Sequence, residues 1–144
     1  MEKLISTGPE KVIFLDIDGV LNSNRSTEPI IAEDMVKRLA HIARKTGASI
    51  VLSSSWRYEY ARHINSESDY YDKDVDRLII LLKKYGLEIA DITPLSYING
   101  ANARPYEIRT WLAGRANVKR FVILDDEFWL WNYLEDFVVC TMHM

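Results

Sequence analysis

The sequence contains a single cysteine, Cys140, among its 144 residues, which excludes an internal disulfide framework. It has no uncharged run approaching the ~18 residues that a membrane-spanning helix requires, and its N-terminus carries no long apolar segment. It also lacks an excess of positive charge, because 18 basic residues stand against 21 acidic ones. We therefore expect a cytoplasmic protein with neither a membrane nor a disulfide partner, and without an overall basic field that would attract nucleic acid.

What the sequence does contain is the alternation of strand and helix patterns that is typical of an α/β protein. A length of 144 residues with 48% hydrophobic content fits one domain, residues 1–144, with a buried core. Strands that alternate with helices predict parallel βαβ units with right-handed crossovers. Apolar runs predict strands at 12–15, 48–52, 87–92, 121–124 and 137–141. The predicted helices lie at 31–45, within 58–72, at 75–85, from Pro105 onward and at 127–134, with loops at 23–29 and 93–103.

The most informative stretch is VIFLDIDGVLN, residues 12–22, in which an apolar run leads directly into Asp16 and Asp18. Strand alternation predicts that both side chains lie on the same side at the carboxyl end of the strand, the edge at which open α/β sheets bind ligands. Two neighbouring acids repel each other unless a cation, a proton or a hydrogen-bond donor intervenes. The pair therefore indicates Mg²⁺ binding or acid–base chemistry. The alternative is a turn in which aspartate and glycine merely cap the strand.

Polar side chains also follow two other predicted strands. Ser53 comes after the second, and Asp125 with Asp126 after the fourth, while Arg104 stands just before the helix that Pro105 opens. Because parallel strands end at one edge of a sheet, these side chains are expected near the first acid pair. Acids, a hydroxyl and a cation around one point suit a phosphoryl group, whose transfer depends mainly on positioning and charge neutralisation. The alternatives are helix capping by the serine and the acids, and an exposed arginine at a helix start.

Taken in order, four segments resemble the four motifs of the haloacid dehalogenase (HAD) superfamily of Mg²⁺-dependent phosphohydrolases. These segments are LDIDGVLN, IVLSSSW, ARPYEI and VILDDE. The resemblance implies a three-layer, Rossmann-like α/β domain with a mainly parallel central sheet. The strings SSSWR, ARPYEIRTWL and LDD are similar to a narrower HAD group that is fused to or associated with RNA-repair enzymes. This narrower likeness makes a phosphate at a polynucleotide end the leading substrate class.

The resemblance also implies roles for the first acid pair and the metal. Asp16 would be the nucleophile that forms an aspartyl-phosphate, and Asp18 the general acid and base. Mg²⁺ would bind Asp16, the backbone carbonyl of Asp18 and Asp126, with Asp125 beside it or bound directly. The fourth motif has adjacent acids where the family has a spaced pair, so the sequence leaves open which of the two contacts the metal.

Phosphate binding falls, by the same resemblance, to Ser53 and Arg104. The family usually has lysine where Arg104 stands, and a planar guanidinium reaches its ligands differently from an ammonium group. Arg109 and Lys119 are therefore alternative cations. Lys119 precedes the fourth predicted strand, whereas Arg109 lies within the helix that Pro105 opens.

The short interval between Gly19 and Ala48 leaves room for one loop and one helix, so the domain is expected to carry no cap or a minimal one. An open site favours a large substrate that covers the site itself. Ser54, Trp56 and Arg57 are candidate substrate contacts. Tyr58, Tyr60 and Arg62 could add base stacking and phosphate contacts.

Three alternatives stay open at this point. Trp56 could equally be a core anchor, and Arg57 an ion-pair partner. The substrate could be a small phosphate ester, and the chain could be a non-catalytic HAD-like module that binds a partner or phosphate. The oligomeric state is left open by the sequence.

Overall fold

The computed structural model of the protein describes residues 8–22, 31–65, 71–95, 103–126 and 134–140. These residues form five strands, four α-helices and one short 3₁₀-helix. The strands are β1 (Lys11–Leu15), β2 (Ser49–Leu52), β3 (Ile89–Ile92), β4 (Arg120–Asp125) and β5 (Val138–Cys140). The helices are α1 (Glu33–Thr46), α2 (Arg57–Ile64), α3 (Lys73–Lys84) and α4 (Ala103–Ala113), and the 3₁₀-helix is Glu135–Phe137.

The five strands form one sheet in the order β3-β2-β1-β4-β5, and every pair in it is parallel. The central strand, β1, pairs with β2 on one side and with β4 on the other. This position explains its sequence, because Val12 to Leu15 are all buried and a strand covered on both faces has no need of polar alternation. The predicted α/β class and parallel sheet are confirmed.

Helices cover both faces of the sheet and give the molecule three layers. Ile13 and Leu15 of β1 belong to a hydrophobic cluster shared with α1 and α3. Phe14 points to the other face, where it meets Trp111 of α4 edge-on at 5.4 Å between ring centroids. Strand alternation thus divides β1 between two cores, and α4 lies on the face of Phe14.

The helix boundaries follow the local signals in the sequence. Gly47 ends α1 in the left-handed conformation, with φ of 73°, and its N–H bonds to the carbonyl of Ala43. Asp72 caps the start of α3, where its carboxylate accepts hydrogen bonds from the N–H groups of Asp74 and Val75. Both helices fall where apolar periodicity predicts them, within one or two residues at each end.

The remaining elements agree with the sequence where they are described. Helix α2 occupies the start of the predicted 58–72 segment, and α4 contains Pro105 in its first turn. The last strand begins one residue later than predicted, because Phe137 belongs to the 3₁₀-helix, and Thr141 lies outside the described residues. The predicted loop at 23–29, most of that at 93–103 and most of the predicted helix at 127–134 lie outside the described residues. Among those residues, no helix combines the length and apolar character needed to cross a bilayer.

Candidate active site

Backbone hydrogen bonds continue past the ends of the central strands and hold the site residues in register. The N–H of Asp16 donates to the carbonyl of Leu124 at 3.0 Å, and that of Ser53 donates to Leu15 at 2.8 Å. Asp125 is itself the last residue of β4. The first acid, the serine and the last acid pair therefore sit at one edge of the sheet, as the parallel arrangement predicts.

Three carboxylates meet at this edge. Asp16, Asp125 and Asp126 each offer an oxygen, and these atoms lie within 4.8 Å of one another. All three residues are at most 8% exposed. Buried carboxylates at such separations require a compensating positive charge or proton. A set of carboxylate oxygens is also the ligand type that Mg²⁺ prefers, so the residues present fit a divalent cation.

The electrostatics of Asp16 reflect this crowding. The pKa of its carboxyl is raised from 3.8 to about 7, mainly because burial disfavours the charged form; Arg104 lowers this pKa, and the charges of Asp125 and Asp126 raise it. The N–H of Ile17, which donates to a carboxylate oxygen of Asp16 at 2.8 Å, also lowers this pKa. The metal-free site therefore retains a proton up to near-neutral pH.

Arg104 supplies the positive charge next to the cluster. Its Nη1 lies 2.7 Å from the carbonyl oxygen of Ser53, 3.4 Å from Asp125 and 3.5 Å from Asp16. The two alternative cations lie elsewhere. Arg109 is exposed further along α4, and Lys119 precedes β4 at the opposite edge of the sheet, 3.5 Å from Glu10. Of the three candidates, Arg104 is the one that the fold brings to the acids.

The serines after β2 differ sharply from each other. Ser53 is 2% exposed, and its hydroxyl has no hydrogen-bond partner among the described residues. A buried hydroxyl without a hydrogen-bond partner lowers the folding stability of the protein, and binding of a ligand would explain why such a group is present. Ser54 is fully buried and accepts a hydrogen bond from the N–H of Trp56 at 3.2 Å. This contact shapes the turn before α2 and gives Ser54 a local structural role, while its role as a substrate contact stays a prediction.

The carboxylate of Asp18 belongs to a separate hydrogen-bond group. The indole N–H of Trp56 lies 3.3 Å from each of its two oxygens, and the side-chain amide of Asn22 donates to one of them at 3.0 Å. The expected same-side placement of Asp16 and Asp18 by strand alternation does not apply, because β1 ends at Leu15 and the following residues turn. Sequence reasoning missed Asn22, although this residue ends the first motif.

Arg57 has a structural partner in the core. It is 4% exposed, forms an ion pair of 3.0 Å with Glu107 of α4, and donates to the hydroxyl of Thr93 at 2.7 Å. This contact is the ion-pair alternative considered for Arg57, while its role as a substrate contact stays a prediction. Neither partner was identified from the sequence, because nothing in it indicates that Glu107 is buried in α4.

An open cavity of about 410 Å³ lies beside Asp18. Tyr58 in its wall is 57% exposed, whereas Tyr60 points to a different groove and packs against the core. Trp56 lines the cavity and also packs against the core cluster of α1 and α3, as the core-anchor alternative predicts, while its role as a substrate contact stays a prediction. The polar lining is mainly acidic, formed by Asp18, Glu59, Asp72 and Asp74.

Comparison with known proteins gave one finding. A family model described as the HAD domain in Swiss Army Knife RNA repair proteins matches residues 12–144, which is nearly the whole chain. Neither the curated proteins nor the solved structures gave a significant match.

Proposed function

The chain belongs to the family of HAD domains found in Swiss Army Knife RNA repair proteins, and from this premise we propose a Mg²⁺-dependent phosphatase that uses an aspartyl-phosphate intermediate. Membership of this family indicates a phosphatase-type hydrolase. Its substrate, in our proposal, is a phosphate end of a polynucleotide or another large molecule. The observation that carries the proposal is the meeting of three buried carboxylates with Arg104 at one edge of the sheet, together with the Ser53 hydroxyl, which has no partner in the described part of the chain.

The metal would be held by Asp16 together with Asp125 and Asp126, whose oxygens lie within 4.8 Å of one another. The backbone carbonyl of Asp18 is the further ligand that the family resemblance implies. When bound, Mg²⁺ supplies neutralisation of the negative charges of these acids and of the phosphoryl group. Arg104 then no longer has to balance the acids alone and can donate to the phosphoryl oxygens.

The chemistry proposed for the chain's own residues proceeds in two displacements. A carboxylate oxygen of Asp16 bonds to phosphorus, the ester P–O bond breaks, and Asp18 gives its proton to the leaving oxygen. A water oxygen then bonds to phosphorus, Asp18 takes the proton of that water, and the bond between phosphorus and Asp16 breaks. Both carboxyl groups return to their starting state, and the hydroxyl of Ser53 donates to the phosphoryl oxygens throughout.

A large substrate is supported by the short described connections at the site. One helix, α1, joins β1 to β2 within the described residues, and α2 and α3 pack against the body of the domain. The described residues around the site do not by themselves enclose a small molecule. The exposed ring of Tyr58 beside the cavity offers a stacking surface for a base. The family description, which names RNA repair proteins, supports the same substrate class.

A small phosphate ester is the second candidate, and one observation favours it. The cavity beside Asp18 has four carboxylates in its lining, so its negative potential opposes a leaving group that carries further phosphates nearby. An uncharged leaving group of modest size would avoid this repulsion. The two candidates share the same chemistry at phosphorus and differ only in what is attached to it.

The test begins with hydrolysis of an aryl phosphate, with and without Mg²⁺, by the wild-type protein and by Asp16→Asn. We expect turnover only for the wild type and only with the metal. Asp34→Asn is the matched control, because it makes the same chemical change on the exposed first turn of α1 and should retain activity. Equal rates for the wild type and Asp16→Asn would refute the enzyme proposal and leave a non-catalytic binding module.

The substrate class requires a second experiment, in which one Mg²⁺ condition is used throughout. Oligonucleotides with 3′- or 5′-phosphates, phosphopeptides and free nucleotides are compared by kcat/KM. The proposal predicts that the phosphorylated oligonucleotides are preferred. A large preference for free nucleotides would overturn it in favour of the small ester.

A further inference from the structure

The indole of Trp56 makes an uncommon contact with the proposed general acid. Its N–H lies at equal distances of 3.3 Å from both carboxylate oxygens of Asp18, although 38 residues separate the two side chains in the sequence. A single N–H directed between two oxygens restrains rotation of the carboxyl group about its bond to the side chain. The contact therefore bears on the orientation of the acid as well as on its charge.

Trp56 is itself held in place. Its backbone N–H donates to the hydroxyl of Ser54 at 3.2 Å, and its ring packs against the core cluster of α1 and α3. A large planar side chain fixed in this way has little rotational freedom to lose when it makes a hydrogen bond. From the other direction, the amide of Asn22 donates to Asp18 at 3.0 Å. Two donors on different elements thus fix the carboxyl group.

The cavity beside Asp18 indicates why the orientation of its carboxyl group matters. Asp18 and Trp56 both line the open space of about 410 Å³, so the restrained carboxyl group borders a volume that can hold a leaving group. A general acid must lie within hydrogen-bond reach of the oxygen that it protonates, and small errors of position reduce proton transfer steeply. The restraint therefore acts at the step in which the ester oxygen departs.

We propose that Trp56 is a positioning residue that directs the carboxyl group of Asp18 toward the leaving oxygen. This inference rests on the proposed function. Trp56 would not touch the phosphorus centre, and its effect would depend on how much the leaving group needs a proton. A nitrophenolate departs without protonation, whereas an alkoxide requires it.

The experiment compares Trp56→Phe with the wild type on two Mg²⁺-supported reactions, hydrolysis of p-nitrophenyl phosphate and of a primary alkyl phosphate. Phenylalanine keeps a packed aromatic ring but removes the N–H. The rate measured is release of the leaving group in the first turnover, with enzyme in excess, because Asp18 also acts as the base in the later hydrolysis that both substrates share. We expect this rate to fall roughly tenfold to a hundredfold for the alkyl ester, and to change by less than about threefold for the nitrophenyl ester. Because both rates are measured on one preparation, their ratio does not depend on the folded fraction.

The matched control is Trp111→Phe. Trp111 also donates its indole N–H to a carboxylate, at 2.8 Å from Asp91, but it lies in the core between β1 and α4. A purely structural loss there should lower both rates by the same factor. If Trp56→Phe behaves in the same way, or leaves both rates unchanged, the inference is overturned.

Two further variants separate this inference from the proposed function. Activity that survives Asp16→Asn would refute the proposed function itself. If Asp16→Asn is inactive and Asp18→Asn selectively slows first-turnover release of the alkyl alcohol while Trp56→Phe does not, only the positioning role fails. Absence of selectivity in Asp18→Asn would remove the acid assignment and the inference together.

Discussion

Replacing Asp16 by asparagine should make the metal-free protein more stable, and the gain should depend on pH. The carboxyl group is 8% exposed, and burial with two neighbouring acids raises its pKa to about 7. Asparagine resembles the protonated acid in shape and can still accept the hydrogen bond from the N–H of Ile17. The substitution therefore removes an unfavourable charge at little structural cost.

The size of the effect follows from the difference between the two pKa values. Between pH 3.8 and about 7 the unfolded chain loses the Asp16 proton while the folded chain keeps it, so the wild type becomes less stable as pH rises. Each pH unit in this window changes the folding equilibrium by roughly tenfold, which amounts to about 4 kcal/mol over the whole window. The advantage of Asp16→Asn should thus be near zero at pH 4, grow toward pH 7 and then level off.

Urea unfolding in the presence of a chelator, at pH 5, 6, 7 and 8, measures this difference directly. Asp34→Asn serves as the control, since it changes an exposed carboxylate on α1 and should show no comparable growth with pH. A destabilised Asp16→Asn protein, or a difference that does not vary with pH, would refute the reasoning. Destabilisation would mean that Asp16 supports the fold as an ionised group, and a difference without pH dependence would mean that folding does not raise its pKa.

Three other substitutions test the buried ion pair and the serine and arginine of the site. Arg57→Met should destabilise the protein by about 3 kcal/mol or more in urea unfolding, because it leaves the buried Glu107 without its guanidinium; an exposed-pair value below about 1 kcal/mol would contradict the burial. Ser53→Ala should lower kcat roughly a hundredfold while the melting temperature stays the same or rises, since the lost hydroxyl has no described partner; a clear drop in melting temperature would indicate a structural role. Arg104→Met should reduce activity by a similar factor, whereas Lys119→Met at the opposite edge should retain it, and equal losses would argue against Arg104 as the site cation.

The main features of the fold could be predicted from the sequence because they depend on local patterns. The apolar run before Asp16 predicts a strand covered on both faces, and β1 is the central strand of the sheet. Gly47 marks the end of α1, and Pro105 marks the first turn of α4. Once the strands are parallel, Asp125 and Ser53 must end at the same edge as the first acid.

What the sequence could not provide depends on how distant segments pack. Arg57 and Glu107 are 50 residues apart, and their pairing follows from the approach of α2 to α4. The bond from Trp56 to Asp18 likewise requires the turn that follows Leu15, which strand alternation alone does not predict. Short polar segments near the end of a strand therefore identify where a site lies, whereas the partners of each side chain can be identified only from the three-dimensional structure.

The central place of β1 has a consequence for how this site fails. Because β1 is hydrogen-bonded to β2 on one side and to β4 on the other, it cannot separate from the sheet by itself as an edge strand can. Local unfolding, which disrupts many sites built from loops well below the melting temperature, is therefore not expected to reach the backbone of Asp16. We therefore expect heat or denaturant to separate the three acids only when the whole domain unfolds. Loss of the site and global unfolding should then occur in the same transition.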